Sequence, residues 1–360
     1  MKFNTINTVS ADPFMVTWDT GRRCNYDCTY CAPIHHDNFS PHASFETLKD
    51  TASFIFRYID LITKYRKHND VGISLTGGEP TANPNFLKLV HYLKEQVEQR
   101  PGTHLSLTTN GTMGKRLTQA VSETFKFVTI SYHAEADSRL KKNVISRIKQ
   151  LHELGTNVKV NVMFHAHYFD ECIDVCNQLK QDGVPYTPRT LGENPAGEKD
   201  YGHQYTEQQQ EWIRSFWNIP KEESKNNFGA ELGRPCCGGR CMSISNDSET
   251  KEVKFLTYRK FKDWYCSVNW FFLHIEQQTD SVYHHQTCQA RFDGTSGPIG
   301  KISEGNKILV ELEHNLTNNT MPIIQCPNSF CGCGMCTPKS SSKEMLLSII
   351  GNNVNASVFG

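Results

Sequence analysis

The chain has 360 residues, of which 38% are hydrophobic, so it can bury the core of one large domain or two ordinary ones and is not disordered as a whole. Its 38 Lys and Arg residues balance 38 Asp and Glu residues, which argues against a dedicated nucleic-acid-binding protein. Residues 1–10 lack the apolar region of a signal peptide, and no long uninterrupted apolar run occurs. We therefore expect a cytoplasmic protein without a membrane partner.

Six short apolar runs alternate with helical patterns in the first part of the chain. The runs predict β-strands at residues 14–18, 71–76, 104–109, 127–131, 158–164 and 184–187. Between them, apolar residues recur three or four positions apart, which is typical of helices that bury one face. After the sixth run, Thr206 and Gln209 form a capping-box pattern that predicts the start of another helix. Strands that alternate with helices are parallel, so we predict an α/β fold with the helices outside the sheet.

Several of these strands carry polar residues on one face only. In the fourth strand, apolar Val128 and Ile130 fall on one face, and Ser131 and His133 fall on the other. In the fifth strand, Asn161 falls on the face opposite to its apolar neighbours. The apolar face must lie under the helices, so the polar face points inward. A closed eight-stranded barrel fills its interior with branched apolar side chains. We therefore predict an incompletely closed barrel with a wet interior that can hold a ligand. The alternative is a strand that is simply exposed on one side.

The chain contains 14 cysteines and no recognisable export signal, which points to metal binding or redox chemistry more than to disulfides. Cys172 and Cys176 lie four apart in a helical pattern, and we expect both to be packing thiols. Cys24, Cys28 and Cys31 instead follow the first predicted strand within a short loop. Three thiolates can hold an iron–sulfur cluster and leave one iron open. The alternative is a zinc site that takes a fourth ligand from elsewhere in the chain.

The segment Cys24-Asn-Tyr-Asp-Cys28-Thr-Tyr30-Cys31 resembles the C-x3-C-x-aromatic-C signature of the radical SAM superfamily. Two further motifs of that superfamily have counterparts at the ends of the second and third predicted strands. They are Gly77-Gly78-Glu79-Pro80 and Thr109-Asn110-Gly111-Thr112. The resemblance covers residues 14–200 or so and implies a partial (β/α)6, TIM-like barrel.

The resemblance implies that Cys24, Cys28 and Cys31 bind a [4Fe–4S] cluster whose open iron binds S-adenosylmethionine. One electron, from a donor such as flavodoxin or ferredoxin, would split S-adenosylmethionine into methionine and a 5′-deoxyadenosyl radical, which takes a hydrogen atom from the substrate. We expect Glu79 to contribute to cofactor affinity and not to stability. The expected contacts of S-adenosylmethionine are Tyr30, Gly77, Gly78, Glu79, Pro80, Asn110, Ser131 and Asn161.

Four residues are candidates for catalysis, without a defined role. They are His133, His165, Cys236 and Cys237. The two histidines can act as acids or bases, although a histidine near the end of a strand is more often a structural residue. For Cys236, Cys237 and the nearby Cys241 there are three alternatives: a further cluster ligand, a hydrogen-atom donor, or ordinary loop thiols.

A second part of the chain begins near residue 218, where Ile219-Pro220 ends the helical pattern and a polar, charged segment follows. We predict a barrel domain at residues 1–218 and a smaller cysteine-rich domain at residues 219–360. In the latter, aromatic and apolar runs at residues 269–275 and 281–284 predict a β-hairpin. A helix is expected around residues 343–350, at the end of this domain.

Cys266 and Cys288 bracket the predicted hairpin, and Cys333 and Cys336 follow as a C-x2-C pair. This arrangement resembles the twitch domain, a shorter relative of the SPASM extension of radical SAM enzymes. The resemblance implies an auxiliary [4Fe–4S] cluster held by these four residues. Two more candidates, for a second cluster or in place of one of the four, are Cys326 and Cys331. A zinc ribbon is the alternative for the whole group.

The motifs and the polar interior together predict an oxidoreductase-type radical SAM enzyme that acts on a polar small molecule or a peptide. Inward-facing Thr, Ser, Asn and His side chains suit a substrate with hydroxyl or amide groups. An auxiliary cluster can accept an electron from the substrate radical, so we expect net oxidation or a radical rearrangement. Balanced charge disfavours a long nucleic acid. The alternatives are methyl or sulfur transfer to RNA or protein, and an iron–sulfur or zinc scaffold without catalytic activity.

Overall fold

The computed structural model of the chain describes most of the first part and sections of the second. The described residues are 5–8, 14–31, 36–65, 70–191, 205–217, 243–244, 253–254, 261–284, 297–318, 320–327 and 339–351. After a short strand, β1 (Thr5–Thr8), the first part forms six strands. They are β2 (Phe14–Asp19), β3 (Val71–Thr76), β4 (Thr103–Thr109), β5 (Phe127–His133), β6 (Asn157–Phe164) and β7 (Tyr186–Thr190).

Helices connect these strands and continue the chain after β7. They are α1 (Phe45–Tyr65), α2 (Phe86–Glu98), α3 (Lys115–Thr124), α4 (Ser138–Glu153), α5 (Phe169–Gln181) and α6 (Glu207–Trp217). Strands β2 to β7 lie in chain order and every neighbouring pair is parallel. The predicted α/β fold, with a parallel sheet of six strands and helices, is therefore confirmed.

Local sequence signals fix several of the helix ends. Thr206 and Gln209 form the predicted capping box before α6: Thr206 N–H donates to Gln209 Oε1 at 3.0 Å, and Gln209 N–H donates to Thr206 Oγ1 at 3.3 Å. The last strand, β7, begins later than predicted. Val184 N–H still donates to Leu179 O at the end of α5, so the strand starts only after Pro185.

The two faces of the sheet differ as the alternating pattern predicts. In β5, Val128 and Ile130 are buried under the helices, whereas Thr129 and Ser131 on the opposite face are partly exposed. β6 repeats the pattern, because Val160 and the apolar residues two positions away on either side are buried. The helix-covered face therefore supplies the apolar core, and the inner face of the sheet is polar and accessible.

Beyond α6 the described elements are shorter. They are β8 (Ser243–Ile244), β9 (Val253–Lys254), β10 (Tyr265–Cys266), α7 (Val268–Phe271), β11 (Phe272–Glu276), β12 (Ser281–Tyr283), β13 (Gly300–Lys301), α8 (Gly305–Thr317), β14 (Ile324–Gln325), β15 (Lys339–Ser340) and α9 (Lys343–Gly351). The helix expected around residues 343–350 is α9. β1 joins several of these strands in a second sheet, in the order β14-β10-β15-β1-β8-β9.

The predicted hairpin is present but continues the barrel sheet. β11 pairs antiparallel with β12, with His274 opposite Tyr283, and it also runs parallel to β2, with His274 opposite Thr17. The resulting sheet has nine strands in the order β13-β12-β11-β2-β3-β4-β5-β6-β7. β11 thereby covers an edge of β2 whose backbone groups would otherwise lack ladder partners. The boundary near residue 218 stays a prediction, but residues 272–283 share the sheet of the barrel.

Helix α8 was not predicted, because we expected short strands and turns in this region. It packs against α1, where Gly305 lies so close to Phe54 that a Cβ atom would stand 2.7 Å from the ring. Arg57 Nη1 donates to Asn306 Oδ1 at 2.8 Å across the same contact. Within the ranges given above, no helix combines the length and the apolar character that crossing a membrane requires.

Candidate cofactor site

The loop after β2 carries Cys24, Cys28 and Cys31 at the carboxyl end of the parallel sheet, where α/β folds bind their ligands. Cys24 N–H donates to Asp37 O at 2.7 Å, and Cys31 N–H donates to Cys28 O at 3.1 Å. Tyr26 N–H points at Cys24 Sγ from 3.4 Å. Backbone hydrogen bonds thus fix the loop on both sides of the first cysteine and between the other two.

The turn after β3 packs directly on the start of this loop. Gly78 N–H donates to Gly21 O at 2.8 Å, and Glu79 N–H donates to Arg23 O at 2.9 Å. A Cβ atom on Gly78 would stand 2.2 Å from a backbone oxygen of the loop, and Gly77 has a φ of +128°. Gly78 therefore allows the two backbones to approach closely, and Gly77 allows a backbone conformation that other residues rarely adopt. Both hold the cysteine loop against the sheet.

Glu79 is 3% exposed, and its carboxylate joins two turns. Oε1 accepts from Thr81 N–H at 2.9 Å, from Thr81 Oγ1 at 2.5 Å and from Thr109 Oγ1 at 2.6 Å, while Oε2 accepts from Asn110 N–H at 2.5 Å. Burial raises the pKa of Glu79, and these hydrogen bonds oppose the rise. Oε1 thus accepts three of these bonds and Oε2 only one, so Oε2 is the oxygen with acceptor capacity left. Glu79 also caps the 3₁₀ turn that starts at Pro80.

Asn110 connects the end of β4 to the cysteine loop and is 5% exposed. Its Nδ2 donates to Asn25 Oδ1 at 2.8 Å and lies 4.0 Å from Cys24 Sγ. Its Oδ1 accepts from Thr112 N–H at 3.1 Å and from Thr112 Oγ1 at 2.7 Å. Both polar ends of the amide therefore bind groups of the chain, and Asn110 orients the loop between the first two cysteines. Its expected contact with S-adenosylmethionine stays a prediction.

The three thiols influence one another electrostatically, but within the described residues no three His, Cys, Asp or Glu side chains stand close enough together to hold a metal ion. Burial raises the pKa of each thiol, to about 11 for Cys31, and the negative charge of Cys24 also raises the pKa of Cys28 and of Cys31. Thiols in such surroundings release their protons when a metal binds them. Cys24 Sγ also receives the Tyr26 N–H described above, and hydrogen bonds to sulfur tune iron–sulfur clusters. Sulfur ligands on one short loop, with a polar second layer, fit a [4Fe–4S] cluster.

The model of the Radical SAM superfamily matches residues 18–190, from the end of β2 to the end of β7. Residues 18–190 form a radical SAM domain. A [4Fe–4S] cluster and S-adenosylmethionine are the cofactors of this superfamily, in agreement with the three motifs at the carboxyl end of the sheet.

Curated proteins similar to the radical SAM domain include several GTP 3′,8-cyclases. The enzyme of Nautilia profundicola is 30% identical over 178 residues, which cover 45% of this chain and 51% of the relative. The enzyme of Haemophilus influenzae Rd is 31% identical over 166 residues, which cover 41% of this chain and 44% of the relative. The chain thus spans about half the length of the curated relatives it matches.

Solved structures share the fold over a longer stretch. Streptococcus suis SuiB is 15% identical, with a TM-score of 0.51, and the match covers 84% of this chain and 66% of SuiB. The structure of anSMEcpe with bound AdoMet and the Cp18Cys peptide is 14% identical, with a TM-score of 0.51 and coverage of 94% and 96%. At these identities the likeness concerns the fold alone.

Tyr30 occupies the aromatic position of the radical SAM motif and stacks on His133 of β5, with ring centroids 5.9 Å apart. Tyr30 Oη lies 2.5 Å from His133 Nδ1, and Cys28 Sγ lies 3.4 Å from the same nitrogen. Burial lowers the pKa of His133 to about 4, so its imidazole is neutral at neutral pH. His133 therefore lies beside the cluster loop, with Nδ1 in contact with two loop residues. A role as acid or base stays a prediction.

Glu135, which the sequence analysis did not single out, binds the middle of the cluster loop. Its Oε1 accepts from Thr29 N–H at 2.7 Å and its Oε2 accepts from Thr29 Oγ1 at 3.0 Å. The candidate His165 is buried, with Nε2 3.7 Å from Glu135 Oε2. Lys141 Nζ donates to Ala134 O at 2.8 Å and so holds the connection that carries Glu135. His165 thus supports a carboxylate that positions the loop.

Ser131 and Asn161 face the interior, as predicted, and lie opposite each other across the β5–β6 ladder. Asn161 Oδ1 accepts from Arg189 Nε at 3.2 Å. Arg189 was also missed, because a single arginine in a short polar strand carries no motif. Its neighbour in β6 becomes evident only when the strands pair.

Two of the proposed auxiliary ligands lie in the described ranges. Cys266 pairs with Ile324 in the antiparallel β10–β14 ladder, and Cys326 N–H donates to Trp264 O at 2.8 Å. Side chains alternate along a strand, so Cys266 and Cys326 lie on the same face of neighbouring strands. Cysteines that fall outside the described residues are Cys236, Cys237, Cys241, Cys288, Cys331, Cys333 and Cys336.

The two cysteines expected to be packing thiols are buried in α5. Cys172 is fully inaccessible, and Cys172 Sγ donates to Met163 O at 3.4 Å. Cys176 lies one turn later on the same face of the helix and is also buried. Both thiols therefore belong to the core beneath β6, as predicted.

Replacing Glu79 with Gln should lower the free energy of unfolding by about 2–4 kcal/mol, because an amide nitrogen would face hydrogen-bond donors in a buried site. The buried hydrogen bonds of Glu79 thus predict a role in stability beside its expected role in cofactor affinity, which stays a prediction. Denaturant unfolding of Glu79→Gln measures the loss, and the exposed Glu98→Gln is the matched control. An unchanged unfolding free energy would contradict the structural role. Unchanged affinity for S-adenosylmethionine would contradict the contact with its amino group.

Replacing Glu135 with Ala should reduce the iron and sulfide content of the reconstituted protein, because Thr29 then loses both of its acceptors. Glu135→Gln should keep that content, since an amide can accept from Thr29 N–H and donate to Thr29 Oγ1. Removing the negative charge should nevertheless raise the reduction potential of the cluster. Redox titration followed by electron paramagnetic resonance measures this, with Glu98→Gln as control. Equal cluster content in the wild type and Glu135→Ala would exclude a positioning role.

Proposed function

We propose that the protein is a radical SAM enzyme that takes a hydrogen atom from a polar small molecule or a peptide. One observation supports this above all: hydrogen bonds through Glu79 and Asn110 join three turns at the carboxyl end of the sheet. These turns, at residues 24–31, 77–80 and 109–112, carry the counterparts of the three superfamily motifs. A scaffold that only binds iron needs the cysteines but not the other two turns.

A [4Fe–4S] cluster held by Cys24, Cys28 and Cys31 would supply one electron for the reductive cleavage of S-adenosylmethionine, the chemistry that would allow a hydrogen atom to be taken from the substrate. The residues of the chain hold these groups in place. Cys24, Cys28 and Cys31 provide the thiolate ligands, and Glu79 Oε2 provides an acceptor for the methionine amino group. A reactive radical needs a site without bulk water, so the bound cofactor and substrate would have to fill the polar interior of the barrel.

The inner face of the barrel suggests the substrate class. Its inward positions carry hydroxyl, amide and imidazole groups, which suit hydrogen bonds to hydroxyl or amide groups of a ligand. The curated relatives are named as cyclases of GTP, a polar molecule. We therefore propose net oxidation or rearrangement of a polar substrate, with flavodoxin or ferredoxin as the class of electron donor. Methyl or sulfur transfer is the competing chemistry of the same motifs.

We further propose an auxiliary iron–sulfur cluster in the second part of the chain. Cys266 and Cys326 share one face of the β10–β14 pair, which brings two thiols to one side of a short ladder. On the other side of β10, buried Lys339 lies opposite Cys266, so a cation offsets the negative charge of thiolates. Remaining ligands would come from Cys288, Cys331, Cys333 and Cys336. Such a cluster would accept the electron that a net oxidation releases.

Replacing Cys24, Cys28 and Cys31 together with Ala should abolish formation of 5′-deoxyadenosine from S-adenosylmethionine under reducing conditions. The triple variant should keep the fold, because the cysteines lie in a loop and not in the core of the sheet. Cys176→Ala, which removes a thiol from α5, is the control and should retain this activity. Cleavage that survives the triple change would refute the proposal. Formation of S-adenosylhomocysteine by the wild type would instead indicate methyl transfer.

Iron and sulfide measured on the triple-Ala variant should still show about one cluster, or about four irons per chain. Adding Cys266→Ala and Cys326→Ala to that background should remove it, since both thiols would then be missing. The triple variant alone is the matched control. Zinc without sulfide in this background would show that the second part holds a zinc site and no auxiliary cluster.

A further inference from the structure

Arg189 lies on the inner face of the barrel, at the strand farthest from the hairpin. In the β6–β7 ladder Asn161 pairs with Thr187 and Met163 pairs with Arg189. Val160, Val162 and the central residue of β7, Pro188, are buried on the outer face, so Arg189 and Asn161 share the inner one. The bond from Arg189 Nε to Asn161 Oδ1 fixes the direction of the guanidinium.

The charge of Arg189 is not balanced within the described part of the chain. No Asp or Glu pairs with it there, and Asn161 is its one hydrogen-bond partner. A guanidinium has five N–H donors, so most of them await an acceptor. Lys159 lies on the same face two residues before Asn161, and burial together with the charge of Arg189 lowers its pKa. Arg189 itself is only partly exposed, and this burial lowers its pKa as well.

Two carboxylates of the interior lie on the opposite wall, whereas Glu135 follows the end of β5 and binds the cluster loop. Asp19 and Glu276 pair at the ends of β2 and β11, and Asp19 Oδ1 lies next to Gly77. The inward positions of β4 to β7, all within the described residues, carry no Asp or Glu. Within the strands themselves, Asp19 and Glu276 therefore lie near the turn at residues 77–80, and Lys159 and Arg189 lie on β6 and β7.

The distance between these two groups of charges indicates that Arg189 contacts the substrate and not S-adenosylmethionine. S-adenosylmethionine carries its amino and carboxylate groups on one carbon, so Glu79 would bring both to the turn after β3. β7 lies four strands away, about 19 Å along the curved sheet at about 4.8 Å per strand. Arg189 thus faces the region that the methionine end leaves free.

We propose that Arg189, oriented by Asn161, binds an anionic group of the substrate inside the barrel. The group is a phosphate or a carboxylate, because both offer paired oxygens to the planar fork of a guanidinium. The inference deepens the proposed function, since it adds a negative charge to the polar substrate. Asn161 becomes a positioning residue for Arg189, in place of its expected contact with S-adenosylmethionine.

Equilibrium binding to the full-length, reconstituted protein without reductant tests this, because no turnover then occurs. The probes are pyrophosphate, succinate, GTP and neutral guanosine, all at one ionic strength so that screening is constant. Arg189→Gln removes the charge, Arg189→Lys keeps the charge without the fork, and Asn161→Ala removes the orienting acceptor. Arg139→Gln makes the same charge change at an exposed position of α4 and is the matched control.

We expect pyrophosphate or succinate to bind the wild type, and Arg189→Gln to weaken that binding by about tenfold to a hundredfold. GTP should follow the same trend, guanosine should not, and Arg189→Lys and Asn161→Ala should give smaller losses. Affinity for S-adenosylmethionine and the melting temperature should stay unchanged. If Arg189→Gln fails to fold, the comparison of Arg189→Lys and Asn161→Ala with the wild type tests the inference.

Two outcomes would overturn the inference. In the first, neither pyrophosphate nor succinate binds the wild type more tightly than the Arg189 variants. In the second, the variants lose affinity for S-adenosylmethionine while anion binding is unchanged, which would assign Arg189 to the cofactor. Formation of 5′-deoxyadenosine by the reduced wild type tests the proposed function separately. Intact cleavage with no anion binding would therefore refute this inference alone.

Discussion

The buried carboxylate of Glu79 holds the candidate site together. Parallel strands bring their carboxyl ends to one edge of the sheet, but they do not fix the turns there relative to one another. Oxygens of Glu79 accept from Thr81 on their own turn and from Thr109 and Asn110 on the next one. A buried charge is costly without such partners, so the two turns are stable only in this relative position. Asn110 then extends the connection to the cysteine loop.

Local patterns predicted much of this arrangement. Alternation in β5 and β6 gave the inner and outer faces, and the pair Thr206 and Gln209 gave the start of α6. The motif cysteines and the two turns were also evident, because each is a short stretch of adjacent residues. These features depend on the conformation of a few adjacent residues, so a short stretch of sequence is enough to predict them.

Features that depend on distant partners were missed. β11 lies beside β2 although more than 250 residues separate His274 from Thr17, and neither strand shows which neighbour it will take. Glu135, in the connection after β5, binds Thr29 in the loop after β2. Arg189 of β7 binds Asn161 of the neighbouring strand β6. Glu79 was assigned to the cofactor alone, because a motif does not reveal how many donors of the chain surround a carboxylate. The buried face of α8 has helical spacing, but the many Gly, Asn and Ser residues around it are typical of turns.

The pairing of β11 with β2 also bears on how the chain folds. β2 leaves the ribosome before the other strands of this sheet, and its partner β11 follows more than 250 residues later. Until then the free edge of β2 exposes backbone amide and carbonyl groups without ladder partners, and such an edge promotes association between chains. Contacts of such long sequence separation form slowly. The complete barrel sheet can thus form only after residues 272–276 have been made, well after the radical SAM domain at residues 18–190.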